Sequence, residues 1–306
     1  SGPNHVVRAP QCHEKGANCG RLADLRRLFK KAWRGRPADI RLDPATAMRI
    51  FLAFPSLVFR PLAVLAALVL AVPAARAAHP LLTDDPGLQG AGHWQLEVNT
   101  DHARTRDGGA TFWARQVNTT LTRGMTDQVD IAFNLPLQRQ TAPGEPTQSG
   151  VGDVGLQLKW RFYDNGQGWA LGVRPTLTLP TGSTRKGLGN GRAAAGALLL
   201  SQLDVGDWTW LVNAGYVYNG NRVGARRHLW AASTALLLQV NAAWSLVSEV
   251  GAMRAADATG PSTARFGLVG AVLHLNDKTD LDLGWRRSWG GAPRVDTWGV
   301  GLTRRW

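Results

Sequence analysis

The feature that most limits what this chain can fold into is a two-residue hydrophobic alternation carried through unusually long segments. Trp94, Leu96 and Val98 alternate with Gln95, Glu97 and Asn99. Val129, Ile131, Phe133, Leu135 and Leu137 alternate with Asp130, Ala132, Asn134, Pro136 and Gln138. The pattern returns in Val154–Phe162, in Trp169–Leu179 and in Leu281–Trp289. Successive side chains of a strand point to opposite faces, so each such segment is a strand with one apolar and one polar face. Twelve segments are expected, near 93–103, 111–123, 128–139, 151–163, 169–180, 193–204, 207–219, 227–240, 244–255, 263–275, 280–289 and 295–306. Strands of soluble proteins run about five or six residues, whereas a tilted strand needs about nine to eleven to cross a bilayer.

The connections alternate in length. Longer ones, rich in Gly, Pro, Thr and Arg, fall at 104–110, 140–150, 181–192, 220–226, 256–262 and 290–294. Tight ones fall at Gly124–Asp127, Asp164–Gly168, Val205-Gly206, Asn241–Ala243 and Asn276–Thr279. Long loops at one rim and short turns at the other, with an even strand count, describe a transmembrane up-and-down barrel. Lipid cannot satisfy backbone N–H and C=O groups, so a spanning sheet must close on itself. The chain has 13 tryptophans. Trp94, Trp113, Trp169, Trp208, Trp230, Trp244, Trp289, Trp298 and Trp306 lie near segment ends, as aromatic girdles at two interfaces would. The fold class expected is therefore all-β: a transmembrane antiparallel barrel of about twelve strands, over 78–306.

A signal peptide is expected before it, over 48–77. Met48-Arg49 gives a start and a positive charge, and Leu62–Val72 is an apolar run too short to span a bilayer. Ala75-Arg76-Ala77 is a small-x-small cleavage pattern, which places cleavage near Ala77. Residues 1–47 are an upstream leader, either disordered or not translated. The net charge of +13 suggests nucleic acid at first sight, but nine of those charges sit in residues 1–77 and the basic residues beyond are scattered. No nucleic-acid partner is expected. Cys12, His13 and Cys19 offer three zinc ligands without a second pair at finger spacing, so no metal site and no cofactor is expected.

With the apolar face outward, the lumen receives Glu97, Asp130, Lys159, Arg161, Arg174, Glu249, Asp282 and Arg286. Both signs occur, which argues against strong selection between cations and anions. Arg115 and Arg287 fall on the lipid face and should either lie near an interface or mark a register slip, since an arginine at the bilayer midplane costs roughly 2–4 kcal/mol. No Gly-x-Ser-x-Gly elbow occurs; His274, near a strand end, is the histidine that could meet a serine across the barrel. The chain is read as no enzyme. Lys186-Gly187-Leu188-Gly189-Asn190-Gly191 has no following Lys-Ser/Thr and no βαβ setting, so it reads as an outer loop.

Two resemblances add to this reading. The chain ends on Trp306 with Gly301 five residues earlier, which resembles the assembly signal of bacterial outer-membrane proteins, although Arg304 stands where that signal has an apolar residue. Pro80-Leu81-Leu82-Thr83-Asp84-Asp85-Pro86-Gly87 with Gly92–Glu97, and Leu179–Gly182 with Lys186–Gly189, resemble the meta-pathway phenol-degradation family of outer-membrane barrels. That resemblance, over about 80–306, implies a pore or transporter for small, aromatic or hydrophobic compounds. Its surroundings would be outer-membrane lipid and lipopolysaccharide, and the barrel assembly machinery would insert it. The alternatives are a non-conducting structural or receptor barrel and an outer-membrane lipid hydrolase.

Overall fold

The computed structural model describes residues 79–290 and 293–306. The leader, the signal segment, the cleavage position near Ala77 and both cysteines lie outside them. Thirteen strands follow in order: β1 (Trp94–Asp107), β2 (Ala110–Gly124), β3 (Val129–Thr141), β4 (Gln148–Val151), β5 (Val154–Asp164), β6 (Trp169–Leu179), β7 (Ala194–Val205), β8 (Trp208–Tyr218), β9 (His228–Asn241), β10 (Trp244–Arg254), β11 (Thr263–Asn276), β12 (Thr279–Trp289) and β13 (Val295–Arg305). All pairings are antiparallel, each strand with its neighbours in sequence except that β3 pairs with both β4 and β5, which do not pair with each other, and β13 pairs with β1 along eleven positions from Gln95↔Arg305 to Thr105↔Val295. The sheet therefore closes and has no free edge. Trp94 and Trp306 exchange both backbone hydrogen bonds (2.9 and 3.0 Å), which fastens the seam at the turn rim.

β4 and β5 occupy one place in the barrel, so the wall has twelve positions. The break in this fourth strand, expected as continuous over 151–163, has a local cause. Pro136 on β3 has no N–H to offer, and pairing lapses between Asn134↔Gly155 and Leu137↔Val151. Asp153 in the gap instead accepts the backbone N–H groups of Gly182 (2.9 Å) and Asn190 (2.7 Å), tying down the loop between β6 and β7. A second departure is the 104–110 connection. It is not a loop: β1 and β2 run on to Asp107 and Ala110 and meet at Gly108-Gly109, both at positive φ (54° and 83°). Two such residues in a row make the hairpin turn whose twist suits paired strands.

The outer surface is apolar and banded with aromatics. Trp169, Trp208, Trp210, Trp244 and Trp306 are exposed near the turn rim, and Trp113, Tyr216, Tyr218, Trp230, Trp289 and Trp298 near the loop rim. Arg115 lies outward near the loop rim, opposite Arg139. Arg287 also points outward there; its Nε bonds Asp296 Oδ1 at 2.6 Å and its guanidinium stacks on Trp285. A concavity of about 710 Å³ between Trp210 and Trp285/Trp289 is on this outer face, where bilayer would fill it.

Candidate functional site

The register assigns the inner face without ambiguity, because residues directly opposite one another share a face. Two sectors of the lumen wall differ. From β1 to β6 the inward side chains are mainly amides and hydroxyls: Gln95, Asn99, Gln116, Asn118, Thr120, Thr122, Asn134, Gln138, Gln157 and Thr176. From β7 to β11 they are mainly apolar. Leu211, Ala235, Leu237, Val247 and Leu268 form one buried cluster, with Leu81 and Val272 packed on it.

The space between the sectors is crossed by the stretch of chain that leads into β1, His79–Gly92. It follows the inside of the wall and is bonded to it at each step. His79 Nδ1 bonds Asp282, with Asp101 3.7 Å from its other nitrogen. Pro80 seats in a trough made by Gly270, Gly284 and Gly299, which lie opposite one another on β11, β12 and β13; a Cβ on Gly270 or Gly284 would collide with the Pro80 ring. Glu249 accepts the backbone N–H of Leu82 and Thr83 (both 2.8 Å) and the Thr83 hydroxyl (2.7 Å). Asn213 accepts the Asp84 N–H (2.7 Å) and donates to its carbonyl (2.8 Å). The Asp84 carboxylate takes Lys159 Nζ at 2.9 Å and Arg174 at 2.6 Å. Pro86 packs on Gly172, and Gln89 N–H bonds Asp130 at 3.0 Å.

This accounts for the position of most charged residues placed in the lumen from the sequence. Asp130, Lys159, Arg174, Glu249 and Asp282 gather around the inner segment. Glu97 lines the cavity beside it. Arg161 stays near the turn rim, 3.3 Å from Asp164. Arg286 faces inward on the loop side of the glycine trough, opposite Thr297. Gly301 sits beneath the Asp282 carboxylate, which a Cβ there would strike. Trp306 lies half-exposed on the outer surface. Sequence reasoning missed the partner of these charges. The stretch Pro80–Gly87 stood out only as a resemblance, and its signal was polar, turn-forming residues where the alternation had not yet begun.

Two cavities lie against the amide sector. One, of about 250 Å³, is bounded by the inner segment and by Glu97, Asn99, Asn118, Thr120, Thr122, Asp130 and Gln157. The other, of about 400 Å³, lies toward the loop rim among Gln116, Asn134, Pro136, Gln138 and the backbone of Gly187–Asn190. The loop after β6 thus folds over the lumen, with Leu188 buried.

At the turn rim a hydrogen-bonded chain crosses six strands. Ser245 Oγ donates to Gln239 (3.3 Å) and lies 2.9 Å from His274 Nε2; His274 Nδ1 is 2.8 Å from Asp280. Arg305 then bonds both Asp280 (2.7 Å) and Gln95 (2.9 Å), carrying the chain across the β13–β1 seam. Ser245, His274 and Asp280 have the order of a nucleophile, base and acid. Ser245 is only 1% exposed, behind its neighbours in the belt.

A closed barrel with an apolar, aromatic-banded exterior and a polar-sided lumen defines an outer-membrane β-barrel. The model of the family described as "MetA-pathway of phenol degradation" matches residues 79–306, and the chain belongs to that family. Among solved structures it is similar to the COG4313 outer membrane channel from Pseudomonas putida F1, at 17% identity and TM-score 0.61, covering 72% of this chain and 98% of that one. It is more distantly similar to the NanC porin (9% identity, TM-score 0.49, covering 68% and 98%) and to the CymD monoaromatic hydrocarbon channel (8%, 0.42, 72% and 90%). No protein of curated function matches it in sequence.

Proposed function

We propose that this protein is a passive outer-membrane pore for small solutes, with its lumen narrowed by its own inner segment. The observation that carries this reading is the pair of cavities along the amide sector, the lower one beside the inner segment and the upper one under the loop after β6. A barrel sealed for a structural role would fill that space with side chains. The loops face outward from the cell and the turns face the periplasm, as in barrels that enter the membrane from inside. Lipid and lipopolysaccharide contact the aromatic bands, and the C-terminal strand is what the assembly machinery handles. The family description makes aromatic compounds candidate solutes.

The test is flux. Refolded protein in liposomes should admit small solutes, measured as swelling or as conductance in planar bilayers. A properly folded, heat-modifiable barrel that admits nothing would end the reading and favour a structural or receptor role. A second reading, lipid hydrolysis, has the Ser245–His274–Asp280 geometry in its favour and the burial of Ser245 against it. Fluorophosphonate labelling that disappears in Ser245→Ala would support it.

A further inference from the structure

We infer that the conducting path runs along the β1–β3 and β5 side of the lumen and selects neutral, multiply hydrogen-bonding solutes over charged ones of equal size. The inference rests on the pore reading and names its substrate class.

The two cavities share one wall. On β2 the inward residues Thr122, Thr120 and Asn118 border the lower cavity, and Gln116, the next inward residue, borders the upper one. On β3 the same succession runs from Asp130 and Ala132 to Asn134, Pro136 and Gln138. From Thr122 to Gln116 the row covers about 20 Å along the strand at 3.4 Å per residue, which at a tilt of about 45° is roughly half of the hydrocarbon thickness.

The residues between the cavities form a ladder of amides. Asn118 donates to Asn99 (3.1 Å), Gln116 to Asn118 (2.7 Å), Gln138 to Gln116 (3.3 Å), and Asn134 to Thr120 (2.9 Å). Each amide carries two donors and a two-lone-pair acceptor, so one or two bonds within the ladder leave capacity for a passing molecule. These mutual bonds also fix the side chains in place. A polyol or other hydroxylated solute can exchange its water for this wall at little cost. An ion pays more, because amide dipoles on one wall replace only part of the hydration shell of a full charge.

The nearby charges are directed elsewhere. Lys159 and Arg174 are held by Asp84, and His79 by Asp282 and Asp101. Asp130 holds the backbone of Gln89. They fasten the inner segment, which leaves the amides, with the single carboxylate of Glu97 on the lower cavity's wall, as the groups aligned along the path. On the opposite side Leu81 packs on the Leu211–Leu268 cluster and closes that route.

The experiment compares swelling rates of liposomes carrying the full barrel in glucose, sodium glucuronate and glucosamine hydrochloride, three solutes of one size and different charge. Glucose should enter several-fold faster than either ion. The double variant Gln116→Leu/Gln138→Leu, of nearly unchanged volume, should lower the glucose rate several-fold; Gln116→Asn alone should retain most of it. Equal rates for the three solutes, or Leu variants that conduct glucose normally, would overturn the inference and leave the pore standing. Entry of none of the three into liposomes with a heat-modifiable barrel would overturn the pore reading, and this inference with it.

Discussion

The two sides of this lumen wall obey different rules. On the β1–β6 side the inward residues are mainly amides, hydroxyls and charges, many of them bonded to a neighbour or to the inner segment. On the β7–β11 side most inward residues are apolar, Leu200, Leu211, Leu237, Val247, Phe266 and Leu268 among them, and packing dominates, while Asn213 and Glu249 hydrogen-bond the inner segment. The same chain stretch serves both. Asp84 binds Lys159 and Arg174, while Leu81, three residues earlier, sits on the leucine cluster. A barrel interior is thus not bound to be uniformly wet. An internal segment lets one side be dry and pack like a soluble core, while the other stays solvated.

That contrast can be tested by removing what holds the two sides apart. Deleting residues 79–91 should give the largest effect, a several-fold rise in planar-bilayer conductance with loss of discrimination between solutes. An unchanged conductance would show that the segment does not narrow the path. Next is Leu211→Ala, at a residue with no exposure. It should cost about 2–5 kcal/mol through the cavity it leaves, read as a lower urea midpoint for the heat-modifiable form. Thr120→Ala on the amide side should cost about 1 kcal/mol or less. Equal costs would erase the distinction between a packed and a solvated side. The smallest effect is expected from Asp84→Asn. Arg174 would lose its counter-charge and Lys159 would keep only Asp85, 3.8 Å away, and the reversal potential in a salt gradient should move modestly toward anion preference. No movement would mean those cations lie off the path.

Much of the fold was legible because strand length and alternation are set by the bilayer. The segments with the cleanest alternation, in β1, β3, β5, β6 and β12, are those whose inward faces are polar or charged. In β9, Leu236-Leu237-Leu238 is apolar on both faces, since Leu237 points into the dry sector and its neighbours point to lipid. Period-two reading therefore found that strand by its length and its bounding turns. The hairpin at Gly108-Gly109 was hidden because the extensions of β1 and β2 beyond the bilayer are polar on both faces, as a loop would be. The candidate site was half legible. Lys159, Arg174, Glu249 and Asp282 could be assigned to the lumen from alternation alone, but alternation says nothing about what faces them across the barrel. The residues that do, His79 to Gln89, belong to no strand and carry no periodic signal. The Ser245–His274 contact depends on register between two strands and needed coordinates.

The inner segment is covalently continuous with β1 through Gly92 and His93, and His93 is anchored to Gly90 and Gly124 by backbone bonds of 3.2 and 2.9 Å. It is a stopper on a short leash. Once dislodged it cannot be lost by diffusion, and its local concentration near the seat stays in the millimolar range. Reclosure is then a first-order event, independent of how many copies the membrane holds. Each barrel would flicker between states by itself, and its closed time would be set by the Glu249, Asn213 and Lys159/Arg174 bonds that the segment must break together.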